Sequence, residues 1–194
     1  MFFEPRTQLT GDKITLIKPR ALFSEITTLF QLIDNNRKNL LPWLTLIQTP
    51  TLKNQEDIFK LLLEIESKWK QQEIFTYLVY HNETLIGIIS ALISVPANNG
   101  TEIYFWQSKE FTKKGFIQQA LSLIEKEFFF LGVERLSIKC DVENYTARGI
   151  AIKAGYRLEG IMRHAYWNAP LKSYRDLYVF SKIKKIIDKQ ENWK

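Results

Sequence analysis

Between residues 73 and 106 apolar, strand-type runs follow one another with only short polar turns, and strand and helix alternate regularly only beyond residue 106. Residues 73–80 and 84–95 are separated by His81-Asn82-Glu83, and Pro96-Ala97-Asn98-Asn99-Gly100 turns the chain into a third run, 102–106. A doubly wound sheet would place a helix between every pair of strands. Here the sheet begins as a meander, so the pattern predicts a mixed α/β (α+β) fold.

The flanking segments fit that frame. Residues 14–17 read as a short first strand. Ile26, Leu29, Phe30 and Ile33 recur at helical spacing, and the helix they predict ends in the polar run Asp34-Asn35-Asn36-Arg37-Lys38. Pro42 and Trp43 fall in a loop. A second helix begins at Asn54, a capping residue, with Glu56 and Asp57 in its dipole-favoured first turn and Ile58, Leu61, Leu62, Ile65 and Trp69 on its apolar face. Downstream, Ile117, Ala120, Leu121, Ile124 and Phe128 mark another helix. A strand over 135–140, a helix over 144–154 closed by a left-handed Gly155, and strands over 156–162 and 174–182 follow. No repeat or linker interrupts the sequence, which predicts one domain over 1–194.

Composition excludes several classes. With 45% hydrophobic and 13% aromatic residues, the chain can bury a sizeable core and is not disordered. Its longest apolar stretch, 85–96, carries Ser90 and Ser94 and falls short of the roughly 18 residues a membrane span needs. The opening MFFEPRTQLT has Glu4 and no long apolar region, so it does not read as a secretory signal. A single cysteine, Cys140, excludes an internal disulfide framework, and with two histidines it is too little for a metal site. A cytoplasmic protein without metal is expected. The net charge of +6 suits an anionic ligand or an acidic partner, but the basic residues are scattered, so nucleic acid is not expected.

The chemistry is concentrated where the strand over 102–106 gives way to the helix starting around Lys114-Gly115. Unpaired N–H groups at such a helix start, backed by the dipole, form an anion site. Gly115 lets a phosphate approach the main chain, and Lys109, Lys113 and Lys114 add positive charge.

From Glu102 onward the chain resembles the GNAT superfamily of acetyl-CoA-dependent N-acetyltransferases, specifically the RimJ/RimL branch. The resemblance rests on Glu102-Ile103-Tyr104-Phe105-Trp106, on Thr112-Lys113-Lys114-Gly115-Phe116-Ile117, on Asn144-Tyr145-Thr146-Ala147, on the run from Lys153-Ala154-Gly155-Tyr156 to Glu159-Gly160 and Arg163, and on Asp176-Leu177-Tyr178. It is dense over 84–182 and weaker before.

The resemblance implies a GNAT fold: a twisted, mostly antiparallel mixed sheet of about six to seven strands with helices on both faces. It assigns 1–83 to the acceptor side and first strands, 84–182 to the acetyl-CoA-binding core, and 183–194 to a basic tail. It places acetyl-CoA against Trp106, Gln107, Thr112, Lys113, Lys114, Gly115, Phe116, Ile117, Gln118, Asn144 and Ala147. Main-chain N–H groups near the splayed end of the 102–106 strand would stabilise the thioester oxygen.

The implied reaction is direct attack by an amine in a ternary complex, with the amine on a protein N-terminus. A small-molecule amine or a weakened coenzyme-binding module are the alternatives, and the protein is expected as a monomer or homodimer. Glu102, on one strand face with Tyr104 and Trp106, is the first candidate base, and Glu73 the second. Ala147 stands where the family often has a serine that protonates the leaving thiolate. Tyr145, Thr146 and Tyr156 are the possible substitutes. Thr112, Lys113 and Ile117 depart from the family's loop pattern. Trp43 lies in the loop that in this family covers the acceptor, and His164 where it places acceptor-binding residues.

Overall fold

Period-two alternation in the central strands sends apolar side chains to both faces of one sheet, and helices cover both. The computed structural model describes residues 4–43, 52–93 and 100–184. In chain order the elements are β1 (Gln8–Thr10), β2 (Thr15–Ile17), α1 (Phe23–Leu40), α2 (Gln55–Lys70), β3 (Ile74–His81), β4 (Thr84–Ile93), β5 (Gly100–Gln107), α3 (Phe116–Phe130), β6 (Arg135–Asp141), α4 (Tyr145–Lys153), β7 (Arg157–Asn168) and β8 (Ser173–Ile183). A 3-10 turn, Lys109–Phe111, lies between β5 and α3.

The sheet has eight strands in the order β1-β2-β3-β4-β5-β6-β8-β7, and β5–β6 is its parallel pair. On one face Ile117, Ala120, Leu121, Ile124 and Phe128 of α3, with Ala151 of α4, pack on Phe75, Tyr77, Ile89, Ile103, Ile138 and Phe180. On the other, Ile26, Leu29 and Ile33 of α1 and Ile58 and Leu62 of α2 pack on Leu78, Leu85 and Trp106. α1 and α2 fall within the residues expected to serve the acceptor, so their face is called the acceptor face below.

Local chemistry accounts for the helices. Asn54 and Asp57 form a reciprocal capping box at the start of α2, and Glu56–Lys60 and Glu66–Lys70 pair one turn apart along it. The left-handed Gly155, at φ +84°, closes α4, with Tyr156 N–H donating to Ala151 O.

The structure corrects three expectations. The sheet gains a strand, β1, whose three residues include one buried side chain, Leu9, too little to register as alternation. α1 does not end in its polar run but continues through it to Leu40, because Asn36 and Leu40 extend the buried stripe Ile26, Leu29, Ile33. Ile183 belongs to β8 rather than to a tail. Of the remaining expectations, residues 94 and 95 of the second strand run, the turn residues 96–99 and residues 185–194 lie outside the described residues.

Candidate active site

β5 and β6 stay together for three pairs, Gly100↔Arg135, Thr101↔Leu136 and Glu102↔Ser137. Beyond Glu102, β5 continues alongside β4 as far as Gln107 while β6 follows β8 as far as Asp141. The sheet therefore forks, and the starts of α3 and α4 stand at the mouth of the fork, at the carboxyl ends of its two parallel strands. Ligands bind at such a place in open sheets. Gly87 keeps β5 on its arm: a Cβ there would lie 2.3 Å from Trp106 O and 2.9 Å from Gln107 Cα.

The loop between β5 and α3 is shaped for an anion. Lys113 (φ +63°) and Gly115 (φ +80°) are both left-handed, the alternation that gathers successive N–H groups into a concavity. Gly115 is the N-cap of α3, without a side-chain cap, and no acidic residue occupies the first turn. Gln119 N–H donates to Gly115 O, so the N–H groups of Phe116, Ile117 and Gln118 precede the first helical bond. An added Cβ on Gly115 meets nothing within 4 Å, which leaves the approach open.

Side chains build the loop from beneath. Phe116 is buried against the His81 ring at 4.3 Å, and His81 Nδ1 bonds Lys13 O at 2.7 Å. Thr112 Oγ1 donates to Lys109 O, Gln107 Nε2 donates to Phe111 O, and the Lys114 ammonium lies over the Phe111 ring. Ile117 is core. Phe116, Ile117, Gln107 and Thr112 thus shape or offer main chain at the site, while Lys113 and Lys114 supply exposed charge. Trp106 packs into the α1–α2 layer.

Across the mouth, Asn144 Oδ1 accepts from Ala147 N–H at 3.0 Å and caps α4. Tyr145 opens that helix and is 72% exposed. Tyr156 lies at the helix's opposite end, buried, its phenol pushed up by burial and by Glu125, so it does not reach the fork. Cys140 is core, and burial pushes its thiol up to about 11.

Three carboxylates on the strands of the acceptor face each have a cation. Glu102, 6% exposed, accepts from Lys139 Nζ at 2.7 Å across the base of the fork. The two line a cleft of about 470 Å³ with Arg135, Ser137 and Val179. The Tyr104 phenol beside Glu102 is raised by partial burial and by that carboxylate. Asp141 accepts from Arg175 Nε and NH2, Tyr166 Oη and Glu143 N–H. Burial raises its carboxyl, but these donors outweigh burial and hold it below the ordinary range. Arg135 and then Ser181 lower Glu159 to about 2.

Glu73 is not gathered here. It sits where α2 turns into β3, paired with Lys68, at the far end of the sheet from the fork mouth. His164 is left-handed and stacks on Tyr174 on the β7–β8 hairpin. Sequence reading missed Asn36, Asp141, Tyr166, Arg175 and Asn168. For Asn36 a signal existed, since it falls on the helical stripe; the other four meet only through strand pairing.

Among the described residues no cluster suits a metal ion, and no helix is long and apolar enough to cross a membrane. A family model described as an acetyltransferase (GNAT) domain matches residues 17–157. The chain is 27% identical to the ribosomal-protein-serine acetyltransferase of Escherichia coli (strain K12) over 164 residues, 82% of this chain and 88% of that protein. In structure it resembles a RimL ribosomal L7/L12 α-N-protein acetyltransferase in complex with coenzyme A, at TM-score 0.84 and 22% identity over 91% of this chain and 97% of that one. It also resembles the microcin C7 self-immunity acetyltransferase MccE in complex with acetyl-CoA and AMP, at TM-score 0.83 and 23% identity over 90% and 94%. Forked sheet, exposed helix start and family match agree: the chain belongs to the GNAT acetyltransferases and is an N-acetyltransferase that uses acetyl-CoA.

Proposed function

We propose that the enzyme acetylates the N-terminal α-amine of a cytoplasmic protein. The observation that carries this reading is the state of the acceptor-face carboxylates. Glu102, Asp141 and Glu159 are each neutralised, by Lys139, Arg175 and Arg135. A polyamine needs several uncommitted carboxylates, and a single α-amine does not. The similarity to a ribosomal-protein-serine acetyltransferase points the same way.

The residues present fit acetyl-CoA. The N–H groups from Lys113 to Gln118, with Lys109, Lys113 and Lys114, would hold its phosphates, and Asn144 and Ala147 would flank its arm across the mouth. Gln107 and Thr112 keep the loop in shape, and Trp106 and Phe116 support it from behind. Bound there, acetyl-CoA supplies the acetyl group as a thioester.

The fork-side main chain of β5 beyond Glu102, released from β6, offers N–H groups to the thioester oxygen. An α-amine, with an ordinary pKa of about 7.7–8.0, needs little help to shed its proton. Glu102, held by Lys139, receives that proton directly or through water. Tyr145, exposed at the first position of α4, is the hydroxyl that replaces the family's serine as proton donor. In this scheme the first 83 residues serve the acceptor and residues 84–182 the cofactor.

Thiol release with acetyl-CoA, assayed with N-terminal peptides and with spermidine, tests the acceptor. Turnover with peptides, with the acetyl group placed on the α-amine by mass spectrometry, is expected. Turnover with spermidine alone would overturn the reading. The loop is tested separately by Gly115→Trp, which should abolish coenzyme A binding in calorimetry while leaving the melting curve cooperative.

A further inference from the structure

The approach to the anion-binding loop is held from across the molecule by one side-chain amide. Asn36 projects from α1 and is 4% exposed. Its Nδ2 donates to Leu32 O at 2.9 Å, and its Oδ1 accepts from Lys109 N–H at 2.9 Å. Lys109 opens the 3-10 turn, so its N–H has no partner within that turn. From there the bonds run forward: Lys109 O accepts from both Thr112 N–H and Thr112 Oγ1, and Lys113 follows.

α1 is itself fixed at its carboxyl end. Arg37 donates to Leu52 O at 2.7 Å, and Pro42 O accepts from Asn168 Nδ2 at 2.9 Å. Asn168 is fully buried and ties this end of α1 to the β7–β8 hairpin. α1 and its continuation thus bond to the loop after β5 on one arm of the fork and to the hairpin on the other.

We propose that Asn36 is a positioning residue for acetyl-CoA. Through Lys109 N–H it sets where the loop from Thr112 to Gln118 stands relative to the acceptor face. The bond is part-buried, its acceptor is a buried amide, and that amide is supplied by a helix 73 residues earlier in the chain. The register of the loop is therefore taken from α1 as well as from its own turn. The inference rests on reading Thr112–Gln118 as the cofactor's phosphate-binding loop.

Two substitutions of similar size separate positioning from packing. Asn36→Asp keeps an acceptor for Lys109 N–H and turns the bond to Leu32 O into a contact between two acceptors. Asn36→Leu keeps the volume and loses the acceptor. An orphaned N–H should weaken coenzyme A binding about tenfold in Asn36→Leu, with kcat at saturating cofactor within about twofold of the parent. Asn36→Asp should bind within about threefold of the parent, because a carboxylate accepts from a main-chain N–H at least as well as an amide. A purely structural role predicts the opposite ranking, since a buried carboxylate disturbs the fold more than a leucine.

Equal affinities for the two variants, or parent-like binding by Asn36→Leu, would overturn the proposal. If Asn36→Leu does not fold, Lys109→Pro is compared with Lys109→Ala. Both remove the ammonium and only proline removes the N–H, so proline alone should lose a further factor of about ten. Equal binding by that pair sinks the idea. Gly115→Trp keeps the two readings apart. If it binds coenzyme A like the parent, the loop assignment fails; if it loses binding while Asn36→Leu does not, only the role of Asn36 fails.

Discussion

The two helices that start at the mouth of the fork begin in different ways. α4 opens on Asn144, whose side chain satisfies the N–H of Ala147, and the strand before it ends on Asp141, anchored by Arg175 and Tyr166. α3 opens on a left-handed glycine with no side-chain cap and no acidic residue in its first turn. α2 carries a full capping box, and α1, uncapped by its Leu22, at least has Glu25 in its first turn. Among the described residues the other α-helix starts are finished with polar or acidic side chains, and that of α3 is not. One start is satisfied by its own side chain, and the other leaves its N–H groups open, as an anion site requires. A helix start can be satisfied from within or left for a ligand, but its N–H groups cannot serve both.

That contrast can be broken experimentally, most severely by supplying α3 with its own anion. Gly115→Asp sets a carboxylate at the open start of α3, so the KM for acetyl-CoA should rise on the order of a hundredfold, while the left-handed backbone there should cost about 1 kcal/mol of stability. Steady-state kinetics and a thermal melt check it, and an unchanged KM would place the cofactor elsewhere.

The reverse operation, Asn144→Ala, should cost about 1 kcal/mol and lower the melting temperature by about 2–4 °C. Asn144→Asp restores the cap. If Asn144 also touches cofactor, that variant recovers stability without recovering KM.

Acid should separate the two starts as well. The Asp141 carboxyl is lowered in the folded state, so it contributes stability that is present above its ordinary pKa of 3.8 and is lost as pH falls through the lowered folded value. Glu159, lowered to about 2 from 4.5, acts with the same sign in a neighbouring window. Amide exchange followed as pH is lowered should show α4 losing protection before α3, whose start holds no carboxylate. Simultaneous loss would mean that Asp141 does not hold α4.

The smallest effect is expected at Lys113. Replacing it by glycine relieves a left-handed lysine but adds chain entropy, so stability should move by no more than about 0.5 kcal/mol. Cofactor KM should change by less than about threefold, because the N–H groups stay in place. A tenfold gain in titration would show that the lysine Cβ obstructs the site.

Much of this was legible in one dimension because it depends on neighbours in sequence. The cap at Asn54, the closure at Gly155 and the apolar faces of α2 and α3 are local, and each stands where the pattern put it. Glu102, Tyr104 and Trp106 do share a strand face. The polar run at 34–38 hides the helical period, because Asn36 occupies a core position of the stripe while Asp34, Asn35 and Lys38 face solvent. β1 escaped because three residues carry no detectable alternation, and their pairing with β2 is what makes them a strand. The commitment of Glu102 to Lys139 and of Asp141 to Arg175 could not be read at all, since each pair is separated by more than thirty positions, 37 and 34.

By itself the sequence determined the order and kind of the main elements, the glycine start of α3 and the family, because periodicity, capping and left-handed turns are fixed by residues within a few positions of one another. Only the tertiary structure decided where the sheet forks, that the acceptor-face carboxylates are spoken for, and that an amide on α1 holds the loop at Lys109. Those facts depend on which strands and helices lie side by side, and the net packing and pairing energies that select such neighbours have no local signature in the chain.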